Sequence, residues 1–576
     1  MRSRVHHPLG GSQFANRLAA WSARRAASAT GFVSQPEPRS IGLYARGKQL
    51  LNGNILLAGF LAEAPGAHLW DIPPPDPAFQ AEAQGFAWLD DLAALGSAPA
   101  RALAQSWTWG WIEHFSTGAG PGWTPDLTGR RIIRWIHHAI FLLQGRDKAH
   151  SDAYYLALSR QAAFLARRWK AAAPGLPRFE ALTGLLYAGL SLIGKEALIA
   201  PAIAALSREC KAEIDASGAL PTRNPEELLE VLTLLTWAVR ALVEADRAIP
   251  EPLAAAIDRI APALRSLRHA DGGLARFHGG GKGLEGRLDQ ALAAAGPGRT
   301  PGHIAVAMGF ARLTGGRTSV ILDAADPPKG AARATAHAST AAFELTSGRR
   351  PLIVSCGSGL PFGPDWKLAG RATQSHSALS IAGFSSSRFG RRADDALLED
   401  AARVTALRQA QGDGALVYLA HDGWSFTHGL TASRELHLSS DGRRLGGTDM
   451  LTALSATERK RFGIQLDRSG LIGIPFAIRF HLHPDVDATL DMGGHAVSMQ
   501  LRSGEIWVFR HGSLAKLALE PSVYLEKGRL KPRATKQIVL SAHARELETR
   551  IGWTLAKAQD TPLAIRDLDR DDPVPL

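Results

Sequence analysis

The sequence predicts a multidomain α-then-β protein, helical in its N-terminal half and folded as an antiparallel β-sandwich after it. Three observations carry that expectation. From Phe86 to about Leu313 apolar residues recur at three- and four-residue spacing, as in Trp135, Ile136, Ala139 and Leu142, the period of a helix face. From about Ala341 the period falls to two, in runs such as AFELTSG, PLIVSCG and LVYLAHDG. Asp-Gly and Ser-Gly pairs stand between several of those runs, where tight hairpins need them.

Taken in order, residues 1–60 read as an irregular N-terminal arm, with 41–60 its ordered end. Asp71 to Gly85 (DIPPPDPAFQAEAQG) reads as a loop, because proline cannot sit inside a helix. A helical domain is assigned to 61–325, with helices expected over Glu180–Ile193, Ala202–Ile214, Glu226–Glu244 and Pro252–Leu267. Pro225 falls where a first helical turn tolerates proline, and Asn224 before it is a good N-cap. The short loops between these segments suit antiparallel helical hairpins. Pro327-Pro328 and the alanine-rich stretch behind them mark a boundary. Over 335–560, eight or more strand-like runs follow, among them ALSIAG, RELHLSSDGRRLGGTDML, AIRFHLHP, HAVSMQLRSGEIWVFRHG and QIVLSA. That density of short strands argues for a sandwich.

Bulk properties narrow the function classes. A chain of 576 residues is too long for one core, so two or three domains are expected. The 66 Lys and Arg against 54 Asp and Glu leave a formal charge of +12, which favours anionic partners. No dense basic run is interleaved with aromatics, which argues against nucleic acid. Cys210 and Cys356 are the only cysteines and fall in different assigned domains, against a disulfide framework or a cysteine zinc site. Arg17, Arg24 and Arg25 interrupt the N-terminal apolar residues, so no signal peptide is read and a cytoplasmic location is the default. No stretch has the length and charge-free character of a membrane span.

The residue best suited to moving protons is His376, in RATQSHSALSIAG (Arg371–Gly383). It stands at the start of a strand, outside a loop containing Arg371, where a sheet can hold it and a ligand still reach it. The alternative reading is a histidine that only hydrogen-bonds within the sandwich.

The ordered set GRRIIRWI (129–136), LTGLLYAGLSLIG (182–194), TRNPEELLEVL (222–232), RHADGGLARFHGG (268–280), SHSALSIAG, the segment 421–451 and PFAIRFHLHP (475–484) resembles the heparinase II/III family of polysaccharide lyases. The resemblance spans roughly residues 40 to 560. It implies an N-terminal (α/α) toroid joined to a C-terminal antiparallel β-sandwich, and β-elimination on an anionic polysaccharide that contains uronic acid. That chemistry needs the uronate charge neutralised, a base for the C5 proton and an acid for the departing C4 oxygen. By the resemblance His376 matches the sandwich histidine that serves as base or acid. Relatives also imply the periplasm or cell envelope as the place of work.

The toroid segments depart from the family pattern. Arg178-Phe179-Glu180 stands where relatives carry Asn-His, and no tyrosine occurs between Tyr187 and Tyr418, so the usual toroid Tyr is missing. Tyr187, in LLYAGL, suits buried packing. Arg223 and Asn224 precede a helix and are candidates to neutralise a carboxylate with help from the helix N-terminus, Asn224 being equally a cap. Arg371, Arg130, Arg131, Trp135, His269 and His278 are the candidate substrate contacts; Trp135 suits core packing as well. The glycines of DGGLARFHGGG would let a sugar approach the backbone closely. His481 and His483, at i and i+2 of FHLHP, are weak candidates for a structural zinc, and no other cofactor is expected. The rival function is a catalytically impaired polysaccharide-binding or assembly protein on the same scaffold.

Overall fold

In a computed structural model that describes residues 9–34, 37–297, 304–390, 398–512 and 514–558, the chain is helical first and then β. It divides into two compact units. One comprises the described residues up to Asp215 with Glu230–Arg259 and Asp289–Gly296. The other comprises Ala216–Leu229, Ile260–Leu288 and the described residues from Pro297 onward.

In the first unit the expected helices form at Leu176–Ser191 and Ile199–Glu213. The helix Pro125–His137 packs backbone to backbone on Leu176–Ser191, through two glycines. A Cβ on Gly184 would lie 2.6 Å from the Gly129 Cα, and one on Gly129 would lie 2.3 Å from the Glu180 carbonyl oxygen. No side chain fits at either position, which is why both segments carry glycine in mid-helix despite its propensity cost. An aromatic core fills the space beside them: Trp135 stacks on Tyr154 at 5.3 Å and meets Trp111 edge-on at 5.4 Å.

Two expectations fail locally. Pro77–Gln84, read as loop, is a helix. Pro77 occupies its first turn, where the missing N–H costs nothing, and the Asp76 carboxylate accepts from the Ala78 N–H at 2.7 Å. The N-terminal arm, read as irregular, contains the helices Leu9–Ala23 and Tyr44–Leu51.

The helical pattern read as far as Leu313 ends earlier, because Ile304–Ala307, Phe310–Gly315 and Thr318–Asp323 are strands. Met308-Gly309 turns the first hairpin with φ of 51° and 75°, a left-handed pair that a helix cannot hold. In the second unit, helix Pro225–Glu244 begins where expected.

Two antiparallel sheets make up the sandwich. The eight-stranded sheet runs in spatial order Val404–Gln411, Gly414–Trp424, Leu430–Ser439, Arg444–Thr452, Glu548–Lys557, Ile506–His511, Ala496–Gln500 and Asp487–Asp491. The second sheet runs Lys516–Tyr524, Arg533–Ala544, Ile474–Leu482, Arg350–Val354, Phe343–Ser347, Thr318–Asp323, Phe310–Gly315 and Ile304–Ala307, with Leu379–Ile381 beside Ile474–Leu482. Expected hairpin turns are present: Gly442 and Gly504 adopt φ of 67° and 83° in the Asp-Gly and Ser-Gly pairs. Alternate residues of both sheets, such as Val417, Leu436 and Leu451 against Phe343, Ile478 and Leu540, bury one core. Inside it, the Arg434 guanidinium pairs with Asp449 at 2.8 Å and donates to the carbonyls of Ala341 and Ser377 at 2.7 Å each. That arginine ties the eight-stranded sheet to the segment that carries His376.

Candidate functional site

His376 follows a single 3-10 turn, Thr373–Ser375, with extended backbone (φ −121°, ψ 154°). The next residue, Ser377, donates to the Val354 carbonyl at 2.6 Å and accepts the His481 N–H at 3.0 Å, which locks the strand start in place. The imidazole is 1% exposed. It points into a line of buried polar groups, all in the second unit. Its Nε2 lies 3.2 Å from His337 Nδ1, and the His337 backbone N–H donates to His278 Nδ1 at 3.2 Å. His278 therefore carries its ring proton on Nε2, which faces the Asp323 carboxylate at 3.4 Å. Asp323 accepts from Arg223 Nη2 at 2.6 Å and from the Ser339 hydroxyl at 2.7 Å.

The electrostatics of this line follow from burial and from one charge pair. Burial alone would raise the Asp323 carboxyl, but Arg223, His278 and Ser339 outweigh it and hold the group well below the usual carboxylate range. Burial pushes His376 down to about 3, helped by His481 and His278. His337 and His278 are also lowered by burial, His278 in spite of Asp323 beside it. Near neutral pH the three rings are neutral, with one proton shared between His337 Nδ1 and His376 Nε2. Only His337 and His376 can exchange a proton directly, because His278 is joined to His337 through the backbone N–H. The three histidines, Asp323 and Ser339 are buried, so no polymer chain touches them as they stand, and only Arg223 keeps some exposure.

The carboxylate-neutralising role expected of Arg223 is corrected by its surroundings. The residue holds a left-handed φ of 50°, and its guanidinium is spent on Asp323 and on the carbonyls of Met308 (2.9 Å), Gly309 (2.9 Å) and Asp326 (2.7 Å). It stacks over Phe310 at 4.6 Å. Asn224 caps its helix: Oδ1 accepts from the N–H groups of Glu226 and Glu227 at 3.0 and 3.3 Å. Asn224→Ala is expected to cost about 1 kcal/mol, read as a lower melting temperature, and Asn224→Ser to recover most of it.

The glycine-rich segment around His278 closes over that helix start instead of opening to a ligand. A Cβ on Gly280 would lie 2.4 Å from Asn224 Oδ1, and the Gly281 N–H donates to Glu226 at 2.9 Å. His269 is buried, with Nδ1 2.9 Å from the Ser319 hydroxyl and Nε2 3.6 Å from Glu344. Arg276 completes that cluster through Glu344 at 3.3 Å and lies over the Tyr524 ring at 4.3 Å.

The other expected contacts are also interior. Arg371 donates to the carbonyls of Ala336 and Arg333 at 2.8 Å each and lies over Phe389. Arg131 donates to Gln161 at 2.7 Å and to the Gln84 carbonyl at 2.8 Å, under Trp111. Trp135 is in the aromatic core, which leaves no face for a pyranose. Arg130 keeps some exposure, and its Nε pairs with Glu180 at 2.6 Å. The Tyr187 hydroxyl faces the Trp237 carbonyl oxygen at 3.3 Å in a packed interior.

Of the two zinc candidates, His481 has both ring nitrogens engaged. His481 Nε2 donates to the Gln374 carbonyl at 2.9 Å, and its Nδ1 meets Ser522 at 2.8 Å and Cys356 at 3.5 Å. His483 Nδ1 accepts the Asp485 N–H at 3.2 Å. Among the described residues no group of three or more His, Cys, Asp or Glu is placed to hold a metal ion.

His337 and Asp323, central to the line, were not singled out from the sequence. Asp323 ends an apolar run (SVILD) and His337 sits in an alanine-rich stretch, so neither carries a motif. Charge at the end of a buried strand was the one available signal.

A family model described as Heparinase II/III-like, C-terminal, matches residues 297–554. FtsZ-localized protein C of Caulobacter vibrioides is 32% identical over 541 residues, covering 92% of this chain and 91% of that protein. Among solved structures, heparinase III is similar with a TM-score of 0.68 at 14% identity, over 95% of this chain and 89% of that one. A mutant of the heparan sulfate lyase HepC from Pedobacter heparinus gives a TM-score of 0.58 at 14% identity, over 96% and 90%. At those identities the shared property is the fold.

Proposed function

The chain belongs to the heparinase II/III-like family, and from that premise we propose that it is a non-catalytic assembly protein built on the polysaccharide-lyase fold and working with FtsZ. The observation that carries this reading is the burial of His376, 1% exposed, with its Nε2 turned onto His337. Elimination needs a base that touches the sugar C5 proton and a cation that touches the carboxylate. Here the histidine is interior and neutral, and Arg223 is consumed by Asp323. The partner is taken from the name of the relative that matches over nearly the full length of both chains.

A contact surface suited to assembly is present on the first unit. Along helix Leu9–Ala23, Phe14, Leu18 and Trp21 are 71%, 56% and 52% exposed, at i, i+4 and i+7. Asn16, Ala20 and Ala23 bury the opposite side. An apolar stripe of this kind, beside Arg17, Arg24 and Arg25, marks an interaction face. No helix among the described residues is long and apolar enough to cross a membrane.

Two measurements on the full chain test the reading. Incubation with a panel of uronate polysaccharides is expected to give no absorbance from a C4–C5 double bond, and co-sedimentation with FtsZ polymers is expected to pellet the protein. Leu18→Glu with Trp21→Glu should lower the pelleted fraction several-fold. Double-bond formation that His376→Ala abolishes would establish a lyase instead. Failure to pellet would remove FtsZ as the partner.

A further inference from the structure

A separate groove of about 410 Å³ crosses the outer face of the eight-stranded sheet, over the four adjacent strands Leu430–Ser439, Arg444–Thr452, Glu548–Lys557 and Ile506–His511. The strand register orders its side chains in two transverse rows. One row is His437, Gly446, Thr554 and Arg510, each paired with the next. The other is Glu435, Thr448 and Gly552. The floor is thus glycine and threonine, and the charges stand at opposite ends, Glu435 on the first strand and Arg510 on the fourth. Three inter-strand gaps of about 4.8 Å, with a two-residue offset of about 7 Å between the rows, separate them by roughly 16 Å.

Neither charge is held by a side-chain hydrogen bond, and the Arg510 charge also acts on Asp491, two strands further along its row. Among the described residues Glu435 makes no side-chain hydrogen bond or ion pair and Arg510 no side-chain hydrogen bond, and the hydroxyls of Thr448 and Thr554 are likewise unbonded. Of the two histidines that line the groove, His437 lies 3.5 Å from Asp413 and His511 Nδ1 meets the Gly512 carbonyl oxygen at 2.5 Å. Beyond Glu435, the next strand presents Tyr418, with Arg408 over its ring at 5.8 Å. Mid-sheet backbone groups are already paired in the ladders, so a ligand must be recognised by these side chains alone.

We propose that this groove binds a short zwitterionic peptide in extended form, its cationic end at Glu435 and its carboxylate at Arg510. An extended chain advances about 3.3–3.6 Å per residue, so roughly four residues span the two charges. The Arg510 guanidinium suits a carboxylate, and the threonine hydroxyls give and accept hydrogen bonds with the amides between. Glu435 at the far end opposes polyanions such as nucleic acid. The inference goes beyond the assembly reading and does not depend on it, since it uses neither helix Leu9–Ala23 nor the histidine line.

The test is titration calorimetry of the full chain with tetra-alanine, N-acetyl-tetra-alanine, tetra-alanine amide and inorganic phosphate. Tetra-alanine is expected to bind at least tenfold more tightly than either blocked peptide or phosphate. Gly552→Val should abolish binding without lowering the melting temperature, because a Cβ at Gly552 meets nothing within 4 Å and valine favours a strand. Arg510→Ala and Glu435→Gln should each weaken it at least tenfold. No binding of tetra-alanine, equal binding of the blocked peptides, binding retained in Gly552→Val, or phosphate binding as tightly would each overturn the proposal.

Discussion

Replacing Asp323 by alanine is expected to destabilise the second unit by about 3–5 kcal/mol, the largest effect of any single substitution discussed for this protein. Asp323 is fully buried, and its carboxylate is the only acid paired with Arg223 among the described residues. Its removal leaves the guanidinium without its directly bonded carboxylate, with only the Asp326 charge nearby, and it orphans the Ser339 hydroxyl and removes the charge facing His278 Nε2. Urea unfolding followed by tryptophan fluorescence should show the second unit's transition at markedly lower denaturant. The double substitution Arg223→Met with Asp323→Leu should recover most of the loss, because removing both charges removes the desolvation penalty along with the attraction. A double variant as unstable as Asp323→Ala would mean that the cost lies in packing and not in the uncompensated charge.

Acid is expected to act on the folded protein through its buried histidines, opposed in part by Asp91 and Glu180, whose carboxyls burial raises to about 7 and which gain stability over the same fall in pH. Burial lowers His137, His376 and His483 to about 3 and His421 to about 4, His483 in spite of Asp485 close by. In the unfolded chain each would titrate near 6.5. Between the two values the unfolded chain binds the extra proton, so stability is complete above about pH 7 and is lost as pH falls through 6.5 toward the folded value. Each such ring withdraws roughly 1 kcal/mol per pH unit over that window, and four together rival the net stability of a domain. Because Asp91 and Glu180 offset part of this loss, the melting temperature should fall by about 5 °C between pH 7.5 and 5.5.

His137→Phe gives the clean control. Both ring nitrogens of His137 lack a hydrogen-bond partner among the described residues, and the ring is packed edge-on against Tyr187 and Trp237 at 5.1 and 5.0 Å. Phenylalanine keeps that packing and cannot take a proton, so the pH dependence should flatten. A pH dependence that His137→Phe leaves unchanged would contradict the buried, neutral state of His137.

The helices and strands were legible because burial imposes a period on the chain. Three- and four-residue spacing marked Leu176–Ser191 and Ile199–Glu213, and alternation with Asp-Gly turns marked the sandwich hairpins. Where a short apolar run fits both periods the reading failed, as at Ile304–Ala307, where the Met308-Gly309 turn decided for strands. The cap at Asn224 and the packing of Tyr187 were also readable, because each depends on neighbours within a few turns.

The site was not legible in that way. That His376 begins a strand is local information, but the group its imidazole meets comes from a loop 39 residues earlier. Arg223 reads from the sequence as a cation at a helix start. Only the fold brings Asp323, 100 residues away, within 2.6 Å and turns a candidate ligand-binding cation into half of a buried pair. Composition and periodicity decide which residues leave water, since that depends on each residue and its near neighbours. Which charges find each other there, and so which remain available to a ligand, depends on long-range pairing in a low-dielectric interior and is settled by the tertiary structure alone.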